Sequence, residues 1–98
     1  MSLQVNINEV EKVLLNLLQE LRKQKGDLIE IGSIDYYWSI SGDELYDPYS
    51  DPTRLTLGQL TDDLEELRKI ANGESEPVSQ DLVKLGVVLT ALGHKMVW

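Results

Sequence analysis

The chain has 98 residues, a net charge of −8, no cysteine, no phenylalanine and one histidine. That length suits a single domain, 1–98, around one aliphatic core. The missing cysteine excludes a disulfide framework, a thiolate nucleophile and cysteine-ligated zinc or iron–sulfur centres. Residues 27–78 hold thirteen acidic and three basic groups, a balance of −10, whereas each flank is close to neutral. Such a segment repels phosphate backbones and anionic lipid, so neither nucleic acid nor membrane is expected as a partner. The chain opens without a basic stretch leading into an apolar run, and no run reaches bilayer length. A cytoplasmic location is the expectation.

The spacing predicts a first helix over 7–25. Val10, Val13, Leu14, Leu17, Leu18 and Leu21 recur at intervals of three and four, which draws one wide apolar stripe. Asn6 has the chemistry of an N-cap, with Glu9 three residues on. Arg22, Lys23 and Lys25 suit the negative end of the helix dipole, and Gly26 suits its C-terminal cap.

The period then changes. Residues 28–31, 34–41 and 44–47 read as three strands, joined by the turns Gly32-Ser33 and Ser41-Gly42-Asp43-Glu44. Pairing Ile31 with Ile34 and Ile40 with Leu45 places Ile29, Ile31, Ile34, Tyr36, Trp38, Ile40 and Leu45 on one buried side. Glu30, Asp35, Tyr37, Ser39 and Tyr46 then face outward.

Two prolines, Pro48 and Pro52, make the next segment a loop. A second helix is predicted over 57–72, opened by a Thr56–Gln59 capping box and closed by Asn72-Gly73. A third is predicted over 79–92, with Ser79 as cap and Gly93 as terminator. Gly86 in its interior costs about 1 kcal/mol against alanine, and close approach of a neighbouring element would explain it. The expected fold is α+β, in the order α-β-β-β-α-α: a small three-stranded antiparallel meander with helices packed on one face.

Several strings carry a resemblance: Tyr37-Trp38, Glu44-Leu45-Tyr46-Asp47, Leu55-Thr56-Leu57-Gly58-Gln59-Leu60, Asp62-Asp63-Leu64, Asn72-Gly73-Glu74, Pro77 and Asp81-Leu82-Val83. Together they resemble a small uncharacterised family of bacterial, chiefly cyanobacterial, proteins sharing a Leu-Thr-(Ile/Leu)-Gly-Gln-Leu core. The resemblance covers about residues 34–93. It implies a cytoplasmic bacterial protein. That family has no established activity, so the resemblance implies no catalytic residue.

Catalytic chemistry is thinly represented. His94 stands alone near the C-terminus, where a cation suits a helix end, and no Ser-His-Asp set can be built on it. Asp62, Asp63, Glu65 and Glu66 open a helix, where its dipole stabilises carboxylates. Two of them one turn apart could share a hard cation, but they read more simply as a solvated face. Asp43, Asp47 and Asp51 lack the alternation of a calcium loop, and the glycines lack a phosphate-cradling pattern. The presumed second helix of a helix-turn-helix lacks exposed base-reading side chains. No cofactor is expected.

The aromatic and acidic middle of the chain is the distinctive feature. Tyr37, Tyr46 and Tyr49 beside Asp35, Asp43 and Asp47 suggest a surface that docks a basic protein, combining rigid area, hydrogen bonding and charge steering. The sequence therefore points to a non-enzymatic interaction or regulatory module, for which a homodimer is one available form. Its acidic, tyrosine-rich composition is similar to that of nuclease-inhibiting immunity proteins, so an inhibitor of a basic enzyme or toxin is the first alternative. An enzyme working through carboxylates such as Asp62 and Glu66 is the second.

Overall fold

The computed structural model describes residues 2–32, 35–40, 45–49, 51 and 55–95. Among the described residues three helices, α1 (Ile7–Lys25), α2 (Leu60–Ala71) and α3 (Ser79–Lys95), accompany two strands, β1 (Tyr36–Ile40) and β2 (Leu55–Gln59). The strands run antiparallel, with Tyr36 opposite Gln59, Tyr37 opposite Gly58, Trp38 opposite Leu57 and Ile40 opposite Leu55.

Helix α1 follows its local signals. The Asn6 side chain accepts a hydrogen bond from the Glu9 amide at 3.2 Å, and the Gly26 amide reaches the Arg22 carbonyl at 2.8 Å with φ of 92°. Leu14 and Leu18, at positions i and i+4, are half-buried, and Leu21 at i+7 is buried. Val10, Val13 and Leu17 lie on the adjoining strip and remain exposed.

The meander is the main correction: among the described residues the sheet has two strands, not three. Residues 28–31 run without a ladder, and Leu28 is exposed. Leu45 sits in a helical turn and Tyr46 in a turn, so the expected strand 44–47 does not form at these positions. Ser33, Ile34 and residues 41–44, which carried the two expected hairpin turns, lie outside the described residues. The partner of β1 is instead the segment read as the start of a helix. Leu55-Thr56-Leu57 has the two-residue alternation of a strand as well as the composition of a helix entry, and pairing with β1 settles the choice.

Helix α2 therefore begins at Leu60 rather than 57. Gln59 stands at its N-cap in extended conformation and makes no side-chain capping bond. The cap comes from elsewhere in the chain. Asp35, just before β1, accepts from the Thr61 amide with Oδ1 at 2.6 Å, and its backbone carbonyl accepts from the Leu60 amide at 2.7 Å. Two orphan donors of the helix are thus satisfied across the sheet rather than within the helix. At the other end Gly73, with φ of 75°, donates to the Ile70 carbonyl, and Glu74 donates to the Lys69 carbonyl. That pair of bonds is a Schellman motif, and it needs the left-handed residue that glycine supplies.

Helix α3 packs on α2. Its entry is braced by the Asp81 carboxylate, which accepts from the Val78 amide at 2.8 Å. Ser79, expected as the cap, is the first helical residue. The helix continues through Gly93 to Lys95, because a glycine without a following breaker weakens a helix without ending it. No helix among the described residues is long and apolar enough to cross a membrane.

Leu21, at 6% exposure, is the only buried apolar side chain among the described residues. The chain exposes 8567 Å², about half as much again as the roughly 5,700 Å² of a compact folded monomer of this mass. Its radius of gyration is 15.3 Å, where about 13 Å is usual for this length. A single copy leaves much apolar surface uncovered.

Candidate interaction surface

Alternation along β1 divides its side chains between two environments. Tyr37 and Ser39 are half-buried, whereas Tyr36 and Trp38 are 57% and 69% exposed. Leu57, opposite Trp38, is exposed with them. The expected sides are thus exchanged. The reason is the change of partner: with 28–31 unpaired, nothing holds Tyr36 and Trp38 inward, and Tyr37 meets better company on the other side.

That company is specific. The Tyr37 ring lies over its cross-strand neighbour Gly58, in space that a β-carbon at position 58 would occupy. The Tyr37 hydroxyl donates to Asp63 Oδ2 at 2.6 Å. Asp63 on α2 is only 7% exposed, although the helical pattern had placed it with its neighbours in solvent. Burial, the hydrogen bond and the negative charge of Asp63 push the Tyr37 phenol up to about 12, so the ring is neutral and a donor at any physiological pH.

Asp35 also works within the fold. Burial pulls its carboxyl upward, but the hydrogen bonds from Gln59, Thr61 and Leu60 outweigh that and hold it below its ordinary 3.8. Gln59 donates through Nε2 to Asp35 Oδ2 at 2.7 Å. Of the six residues expected at a partner surface, Tyr37 and Asp35 therefore brace β1, β2 and α2 against one another. Asp47 shapes its loop, accepting from the Tyr49 amide at 3.0 Å in an Asx-turn. Tyr46 and Tyr49 stand in solvent, Tyr46 at 83% exposure. Asp43 lies outside the described residues.

A groove of about 1000 Å³ runs between β1 and α3, and Trp38, Leu45, Tyr46, Leu82, Val83 and Val87 contribute to its walls. Among the described residues no charged side chain lines it. It sets Trp38 and Tyr46 against an aliphatic face of α3, beside a segment of strong negative charge.

The acidic residues considered for metal or acid–base work do not converge. Asp62 is exposed, Asp63 is held by Tyr37, and Glu66 pairs with Lys69 at 3.3 Å. Among the described residues no three carboxylates or histidines come together to hold an ion. His94 is exposed within α3, one residue before its end.

Sequence reasoning missed Asp63, Gly58, Gln59 and the exposure of Trp38. A usable signal was present: glycine in an alternating apolar run marks a place where an aromatic ring can lie flat across the strand. Comparison with family models, curated proteins and solved structures finds no match to this chain.

Proposed function

We propose that the chain is a non-enzymatic binding module that docks a segment of a basic protein in the groove between β1 and α3. The observation that carries this reading is the exposure of Trp38 and Tyr46 on one apolar groove in a segment of charge −10. Tryptophan and tyrosine dominate binding energy when a partner seals them from water. The surrounding carboxylates raise the rate of encounter with a cationic partner and set its sign. Tyr37, Asp63, Asp35 and Gln59 hold the strands behind this surface, so the groove is presented on a braced sheet.

The test is capture from native lysate with wild type and with the double variant Trp38→Ala, Tyr46→Ala, followed by reconstitution from purified components. The expected result is a basic protein held by wild type and released by the variant, with affinity weakened by about 30-fold or more. Identical captured proteins, with both forms equally folded by circular dichroism, would end this reading. Inhibition of a basic enzyme or toxin is its narrower form: the captured protein would then be an enzyme whose turnover falls when the chain is added.

A further inference from the structure

A second groove adjoins the first along α3, the two meeting at Leu82 and Gly86. Val10, Val13 and Leu17 of α1 face Leu82, Leu85 and Leu89 of α3 across about 610 Å³ of open space. The α1 side chains are exposed, as is Leu82. We infer that this groove is the interface of a homodimer, filled by the same two helices of a second copy.

Three observations point to a second copy. The first is area: the chain exposes about 2,900 Å² more than a compact monomer of 11.1 kDa. A stable pair hides about 800 Å² per partner and an obligate pair 1,000 Å² or more, so one such interface fits within the surplus. The second is charge along α1. Glu9 and Glu11 lie near its start, while Arg22, Lys23 and Lys25 crowd its last turn. A two-fold axis crossing α1 near its middle sets it antiparallel to its copy, with each acidic end alongside a basic one. The third is Gly86, in the interior of α3, which lines this groove where it meets the one beside β1. A β-carbon there would meet nothing within 4 Å among the described residues. The close approach that would justify this helix-weakening residue is therefore not made by the described residues of one copy. A helix from a second copy, laid across the groove, makes it.

Sedimentation equilibrium at micromolar concentrations tests this directly. Wild type is expected at the mass of two 11.1 kDa chains. Val13→Glu with Leu17→Glu changes side chains that are already in water in the single chain, and is expected at the mass of one. Gly86→Leu adds volume where the single chain has room, and improves helix propensity, so it folds but cannot close the pair. Each of these variants is expected to weaken pairing by about 100-fold or more. Trp38→Ala with Tyr46→Ala is expected to remain paired, which separates this interface from the binding groove beside β1. A wild type at the mass of one chain overturns the inference and leaves the groove to a helix of another protein. Pairing that survives both groove changes, or that fails with the Trp38 and Tyr46 changes, also overturns it.

Discussion

Replacing Tyr37 by phenylalanine removes a single oxygen atom, and the structure says what that atom does. Its hydroxyl donates at 2.6 Å to a carboxylate that is only 7% exposed. A hydrogen bond to a charged group contributes about 1.5–3 kcal/mol, and the half-buried position of the ring places this one toward the lower end. A loss of about 2 kcal/mol lowers the melting temperature of a domain this size by on the order of 10 °C. Thermal unfolding by circular dichroism, at one fixed chain concentration, measures it. A cycle with Asp63→Ala assigns the loss to the pair, with an expected coupling of about 1 kcal/mol or more. The same bond predicts a pH dependence. Because the folded phenol titrates near 12, above its ordinary 10.0, the folded state binds more protons than the unfolded state in that interval. This contribution is therefore complete below pH 10.0 and is lost as pH rises through about 12. Spectroscopic titration should show a tyrosinate component near 12 that disappears in Tyr37→Phe. Unchanged stability in that variant, or no coupling to Asp63, would refute the claim that this contact ties β1 to α2.

Gly58→Ala places a methyl group inside the Tyr37 ring and should cost about 1–3 kcal/mol, read as a lower urea midpoint. The cost should shrink in a Tyr37→Ala background, where the space is free. Asp35→Ala strips the cap from α2 and should reduce helicity and the cooperativity of unfolding. Its folded carboxyl lies below 3.8, so its contribution is present above that pH and is lost as pH falls through the lowered value. Wild type should accordingly lose more stability than Asp35→Ala on acidification through that range.

The helices were legible because their signals are local. Asn6 with Glu9, Gly73 with Ile70 and Glu74 with Lys69 close their bonds within a turn or two of chain, so residue identity and spacing suffice. The candidate groove was legible in its location but not in its members. The aromatic stretch from Tyr36 to Trp38 was visible at once, yet a strand turns alternate residues to opposite sides. Which side is wet depended on a partner absent from the local pattern. Residues 28–31 and 55–57 offered comparable apolar alternation, and neighbouring turn residues favoured the first.

What the chain's order of residues settles alone is the helical inventory, the absence of cysteine chemistry and the acidic, aromatic character of its middle. Tertiary structure chose the pairing of β1 with 55–59, and with it the exposure of Trp38 and the withdrawal of Tyr37. The physical reason is that strand pairing is a contest between distant segments. Here it was decided by contacts that exist only after the chain closes: a ring over Gly58, a phenol on Asp63 and the Asp35 carboxylate at the start of α2.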